Sequence, residues 1–133
     1  MLPFLIIFVP IIGGLLVYAL NMSDRVRDAF VVAVTAITGL LGLSLYTFLQ
    51  DAGVVVLEYP RILHPFGVSF RIDWLTAVLV TIASAIWLLV TVYSLEYTKS
   101  MHNVKRYHTF TLVTYGATLG TLVAGDLLTL FLF

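Results

Sequence analysis

Few residues of this sequence could do chemistry, and the two best placed are Asp126 and His108. Asp126 follows Gly125 between two apolar runs, where a carboxylate could bind a proton or a cation. It could also cap a helix by accepting backbone N–H bonds, and we favour the cap because an aspartate at a helix start costs little. His108 opens an apolar run and could relay protons, since imidazole titrates near neutral pH. A histidine at the membrane interface without such a role is the favoured alternative.

Metal and cofactor chemistry lack a supporting pattern. His102 and His108 are six residues apart with no acid or thiol beside them, and His64 stands alone in a different loop. A zinc site needs several ligands at defined spacing. There is no cysteine, which excludes thiolate ligands, disulfides and thiol catalysis. We therefore predict no catalytic, metal-binding or cofactor-binding residues, and no cofactor.

Four further residues are interpreted as structural. Asp73 precedes an apolar run and should cap a helix there. Glu96 either anchors the interface or pairs with Lys99 one turn later. Gly116 and Gly120 form a GxxxG pattern, which is weak evidence for a close contact between helices.

The composition is that of an integral membrane protein. Hydrophobic residues make up 61% of the chain and charged residues 11%, whereas soluble domains carry about a quarter charged residues. The mean hydropathy is +1.07. The net charge is zero, so nothing favours nucleic acid as a partner.

We expect an all-α fold in one transmembrane region covering residues 1–133, with a lipid bilayer around it. The predicted elements are four spans at about 1–20, 29–49, 74–93 and 107–124, and the start of a fifth helix at 126–133. That fifth segment is too short to cross a bilayer core of roughly 30 Å. A further chain, or further sequence, is expected to complete it.

Between spans two and three the pattern changes to that of a small β-hairpin. Residues 67–73 alternate, with Val68, Phe70 and Ile72 on one side and polar residues on the other. Together with residues 54–59 this period of two predicts a pair of strands.

The distribution of basic residues sets the expected orientation. The loops after spans one and three carry five of the seven Lys and Arg residues, and the hairpin region carries two. The positive-inside rule therefore places the N-terminus and the hairpin outside. No span has an Asp, Glu, Lys or Arg in its middle, so these helices resemble a scaffold rather than an ion path.

Several motifs resemble those of the proton-conducting, antiporter-like membrane subunits. They are Ile72-Asp73-Trp74-Leu75, Tyr93-Ser94 with Tyr97, residues 106–110 (RYHTF), and Asp126-Leu127-Leu128. The family includes the antiporter-like subunits of respiratory complex I. It also includes the D- and A-type subunits of multi-subunit Na⁺/H⁺ antiporters and their relatives in membrane-bound hydrogenases.

The resemblance implies a bundle of about fourteen helices with inverted repeats and a hairpin between helices two and three. It also implies that conduction begins with a glutamate on helix five, which would follow Phe133. No functional residue of the family therefore maps onto this sequence.

The leading hypothesis is the N-terminal portion of a proton- or Na⁺/H⁺-translocating subunit, within an antiporter or a redox-driven pump. Its partners would be the other membrane subunits of that complex, in a prokaryotic inner membrane. The alternative is a non-conducting structural or assembly subunit that packs against a larger transporter. A stand-alone membrane enzyme ranks last, because no catalytic constellation supports it.

Overall fold

The computed structural model describes residues 2–63 and 66–133, and His64 lies outside this range. Five helices and two strands follow one another along the chain. They are α1 (Leu2–Ala19), α2 (Asp24–Ala52), β1 (Val55–Leu63), β2 (Phe66–Ile72), α3 (Trp74–Thr98), α4 (Val104–Val123) and α5 (Leu127–Leu132). The predicted fold of apolar helices with one small hairpin is confirmed at this level.

Helices α1 to α4 form an antiparallel bundle. Helix α1 packs most extensively on α4 and α2 on α3, while α1–α2 and α3–α4 contacts close the ring. One end of the bundle carries the α1–α2 and α3–α4 loops, and we call it the loop end. The other carries the hairpin and the start of α5, and we call it the hairpin end.

Two helices, α2 and α3, are long and apolar enough to cross a membrane by length and composition, and Pro3–Ala19 is a shorter apolar helix. Helix α4 carries Lys105 and Arg106 in its first turn, which shortens its uncharged part.

Two helices extend beyond the predicted spans. Helix α2 begins at Asp24, before the span predicted from about 29, and α3 continues to Thr98, beyond the span predicted to end at about 93. The predicted spans end where charged residues appear. A helix can continue beyond the apolar core with charged residues in its end turns, so hydropathy underestimates its length.

The hairpin is antiparallel, with Val55 opposite Ile72 and Leu57 opposite Phe70. The predicted alternation is present, since Val68, Phe70 and Ile72 are buried while Arg71 is exposed. A register shift lies between Tyr59 and Leu63. Because the apolar face of β2 packs onto the helices, burial fixes the register of this strand.

The hairpin is also tied to the connection between α4 and α5. The N–H of Gly125 donates to the carbonyl oxygen of Ser69 at 2.8 Å, and the N–H of Ser69 donates to Thr129 Oγ1 at 2.9 Å. Phe70 and Ala124 form an isolated β-bridge. The hairpin thus fixes the position where α5 begins.

The core has two parts. The larger one runs from the bundle to the hairpin, and a smaller one lies between α1, α2 and α4 towards the loop end. Members of the larger core include Ile6, Ile7, Leu45, Leu49, Val68, Phe70, Ile72, Val80, Tyr115 and Leu119. The smaller core consists of Val17, Val31, Val34 and Leu112.

Candidate functional site

At the hairpin end, Asp126 is the N-cap of α5. Its carboxylate accepts a hydrogen bond from the N–H of Thr129 at 2.6 Å. The residue is exposed and no described basic side chain pairs with it. A carboxylate in this arrangement satisfies backbone donors at a helix start, and it is not enclosed as an intramembrane ion site would be.

Asp73 occupies the equivalent position at the start of α3. Its carboxylate accepts from the N–H of Thr76 at 2.8 Å and from the Thr76 hydroxyl at 3.0 Å. Arg71 Nε lies 3.5 Å from the other carboxylate oxygen. The backbone bond from Thr76 is the largest influence holding the pKa of Asp73 below its ordinary value. Burial opposes it, and the Thr76 hydroxyl and Arg71 add to it.

Glu96 lies within the last turns of α3 and pairs with Lys99, with 2.6 Å between the carboxylate oxygen and Nζ. Both side chains are more than two-thirds exposed. An exposed pair three residues apart on a helix contributes little to stability, about 0.2–0.5 kcal/mol.

Gly116 and Gly120 face different neighbours. A Cβ atom at Gly116 would lie 2.8 Å from the carbonyl oxygen of Ile7 and 2.5 Å from Ile11 Cγ1. A Cβ atom at Gly120 would instead meet the ring of Phe133 at 2.6 Å. Gly116 therefore lets α1 approach α4 closely, whereas Gly120 accommodates an aromatic ring.

His108 occupies the most unusual position of the predicted residues. It lies in the second turn of α4 at the loop end and its side chain is fully buried. Neither ring nitrogen makes a hydrogen bond to any residue that the structure describes. Its Nε2 atom lies 3.8 Å from Asp28 Oδ1, and the ring of Tyr107 meets it edge-on at 5.5 Å between centroids.

Two residues beside His108 were not among the sequence candidates. Arg27 is buried and pairs with two carboxylates, Asp24 at 2.8 Å and Asp28 at 3.4 Å. Both Arg27 and Asp28 belong to the first turns of α2, before the predicted span. Ser23-Asp24 marks a helix start in the sequence. Ser23 is the N-cap of α2, and its side chain makes no cap hydrogen bond within the described part of the chain.

A polar cavity of about 790 Å³ opens at the loop end next to this group. It is lined from all four long helices and their loops. Its charged and polar lining residues include Asp24, Arg27, Asp28, Thr98, Lys99, His102, Asn103, Lys105 and Arg106. His102 lies on this cavity, but His102 and His108 are not paired with each other by any described contact.

A second polar group lies in the middle of the bundle. The hydroxyls of Ser84 on α3 and Tyr115 on α4 are buried and close enough to interact. Neither makes a hydrogen bond of good geometry to any described residue. The Tyr115 ring packs against Trp87 at 5.5 Å between centroids. Neither residue is charged, so the distribution of charged residues along the spans gave no indication of this pair.

The chain is a helix bundle that exposes many apolar side chains and carries its charged residues at the loop end and the hairpin end. Within residues 2–63 and 66–133, no group of three or more His, Cys, Asp or Glu side chains could hold a metal ion.

Three comparisons identify what the chain is similar to. Residues 64–111 match the family described as NADH-ubiquinone oxidoreductase (complex I), chain 5 N-terminus. Antiporter subunit mnhD2 of Staphylococcus aureus, in strains MRSA252 and JH9, is 27% identical over 124 residues, covering 92% of this chain and 24% of the relative. A chain of the membrane-bound sulfane sulfur reductase, an archaeal respiratory membrane complex, superposes with a TM-score of 0.79 at 22% identity, covering 97% of this chain and 20% of that one.

These comparisons confirm the resemblance to the antiporter-like membrane subunits that the motifs carry. The chain spans about a quarter of the length of the curated relatives it matches. The match to the respiratory complex shows that the two chains share a fold.

Proposed function

We propose that this chain is the N-terminal portion of an ion-translocating membrane subunit, carrying protons or exchanging Na⁺ for H⁺ within a larger complex. The observation that carries the proposal is the similarity to antiporter subunit mnhD2 along 92% of the chain. The matched family, named after a complex I chain, supports the same class.

In this proposal four helices cross a prokaryotic inner membrane, with the N-terminus and the hairpin outside. The loop end faces the cytoplasm, because the loops there carry most of the basic residues. The exposed apolar side chains of α1 to α4 then face lipid or the helices of other subunits.

The geometry supports a scaffold role for most of this region. Among the described residues, the buried side chains that can carry charge are Arg27 and His108, both at the loop end. Translocation through the membrane centre would use acid–base pairs on other helices of the subunit, as the resemblance implies. The exchange would be coupled to Na⁺ or to a redox module elsewhere in the complex.

The proposal is tested with everted membrane vesicles that contain the complete complex. A dye reports the transmembrane pH difference, and Na⁺ is added to start exchange. Vesicles without this chain should lose Na⁺-driven or redox-driven proton movement, and restoring the chain should restore it. Undiminished proton movement by an assembled complex that lacks the chain would refute the proposal.

A structural or assembly subunit is the second candidate. It is favoured by the lack of charged side chains in the described middle of the bundle. Native gel electrophoresis shows whether the complex assembles, and transport by the assembled complex then separates the two functions. A purely structural subunit would be needed for the complex to assemble, whereas substitutions at its polar groups would leave transport by the assembled complex unchanged.

A further inference from the structure

The buried position of His108 is energetically unfavourable for a polar side chain. A neutral imidazole offers one N–H donor and one acceptor nitrogen. Here the side chain has no solvent exposure, and neither nitrogen is hydrogen-bonded to a described residue. Leaving buried polar atoms unpaired is unfavourable, so a histidine in this position is poorly explained by packing alone.

Asp28 is the nearest partner for the ring. Its Oδ1 atom lies 3.8 Å from His108 Nε2, so the two atoms must approach by about 0.6–1 Å to form a hydrogen bond. The Asp28 side chain is 29% exposed. The pair therefore has one buried member and one member that reaches solvent.

The polar cavity at the loop end supplies the connection to solvent. Asp28 and Arg27 both line it. In the proposed orientation this cavity opens to the cytoplasm. A proton can thus reach Asp28 from that side without crossing the apolar core of the bundle.

We propose that His108 and Asp28 form a proton-binding site, loaded from the cytoplasmic side through this cavity. A hydronium ion in the cavity donates its proton to the Asp28 carboxylate and becomes neutral water. The Asp28 O–H bond then breaks as an N–H bond forms at Nε2, which leaves an imidazolium beside a carboxylate. The new N–H then donates to the Asp28 carboxylate as a charge-assisted hydrogen bond. Release of the proton reverses these steps.

The ring is surrounded by charged groups of both signs. From α2, the ring is faced by Asp28 and by Arg27, and Asp24 holds the far side of the guanidinium. From its own helix, Lys105 and Arg106 belong to the preceding turn. Lys105 donates to Asn21 Oδ1 at 2.6 Å and Arg106 lies over the Phe110 ring.

The other ionisable side chains that reach the cavity come from the remaining elements. They are Tyr18 of α1, Lys99 of α3 and His102 of the α3–α4 loop. Among the described residues, Asp28 alone lies within ion-pair distance of His108. Arg27 Nη2 lies 3.4 Å from the same Asp28 oxygen, so Arg27 is a positioning residue for the carboxylate.

The inference deepens the proposed function and rests on it for its role in transport, but the site can be tested without transport. The complete complex is labelled with ¹⁵N-histidine in lipid vesicles and followed by solid-state NMR between pH 5 and pH 8. The His108 signal is assigned by its loss in His108→Gln. We expect one transition from neutral imidazole to imidazolium within this range.

In Asp28→Asn the midpoint of that transition should fall by about one pH unit or more, because an adjacent carboxylate favours the charged ring. The control His102→Gln, on the same cavity, should leave it unchanged. A ring that keeps one protonation state throughout, or a midpoint unaffected by Asp28→Asn, would overturn the proposal. If His108→Gln fails to fold, the His108 signal is the one that persists in both His64→Gln and His102→Gln and whose midpoint shifts in Asp28→Asn, and the absence of any signal with these properties would overturn the proposal.

Transport measurements then test the role of the site. Both His108→Gln and Asp28→Asn should lower proton movement at least several-fold and flatten its dependence on cytoplasmic pH, whereas His102→Gln should not. Normal rates with an unchanged pH profile in both variants would remove the site from the path. A wild-type complex that titrates at His108 but moves no ions would instead refute the proposed function and leave the site standing.

Discussion

The contact between α1 and α4 at Gly116 gives the sharpest prediction about stability. A Cβ atom there would lie 2.8 Å from the backbone carbonyl oxygen of Ile7. The Ile11 side chain, at 2.5 Å, could rotate away, but a helix carbonyl can move only with its helix. Gly116→Ala should therefore push the two helices apart by about half an ångström and cost about 1–3 kcal/mol of packing energy.

Gly39 provides a matched control in α2. A Cβ atom there would meet Ser84 Cβ at 3.7 Å, which is ordinary van der Waals contact. Replacing a helical glycine by alanine favours the helix by up to about 1 kcal/mol at either position. That gain cancels when the two variants are compared, so the packing cost at Gly116 should appear as the difference between them.

The assay is unfolding of the purified protein in detergent micelles, with free energies of unfolding compared at one detergent concentration. We expect Gly39→Ala to equal or exceed the wild type, and Gly116→Ala to lie about 1–3 kcal/mol below Gly39→Ala. Equal stability of the two variants would show that α1 and α4 are not in close backbone contact. The close-packing argument would then be wrong.

Three further predictions concern caps, topology and the buried hydroxyl. Asp73→Ala should cost about 1 kcal/mol at pH 7. Because the folded-state pKa of Asp73 is depressed, this stability is present above its unfolded value near 3.9 and is lost as pH falls through the folded value. Free energies of unfolding measured at pH 7 and near pH 3 check this. Glu58→Ala, which removes a carboxylate that caps no helix, is the control. A loss of stability in Asp73→Ala that is the same at both pH values would contradict the prediction. The chain has no natural cysteine, so cysteines introduced at positions 54 and 103 can be labelled selectively with an impermeant maleimide. Val54→Cys and Asn103→Cys should react from opposite faces of the membrane. Val54 is preferred to the adjacent Gly53, whose φ of 67° disfavours substitution. Tyr115→Phe should keep or raise stability, by up to about 1 kcal/mol, and a loss larger than that in detergent unfolding would mean that the hydroxyl is bonded.

Local patterns predicted the hairpin and the helix order well. The alternation of Val68, Phe70 and Ile72 is a property of consecutive residues, and the structure buries these three side chains together. The helix starts at Asp73 and Asp126 rest on cap chemistry that spans three residues. Such signals need no knowledge of which elements meet.

The site at the loop end could not be predicted in the same way. His108 and Asp28 are brought together only because α4 packs against α1 and α2, and no short-range pattern specifies that packing. The early start of α2 mattered as well, since a loop would not direct Arg27 and Asp28 towards α4. Hydropathy ended the span where charges began, and the charged turns that followed held the partners of the histidine.

The pairing of α1 with α4 also sets an order of events during synthesis. Helix α1 ends at Ala19, whereas α4 begins at Val104. At about 5–20 residues per second, the ribosome needs roughly 4 to 17 seconds to add the intervening segment. Helices α2 and α3 can pair within that interval, but the smaller core stays open until Leu112 arrives. Helix α1 therefore gains its most extensive contacts, those with α4, only after this delay.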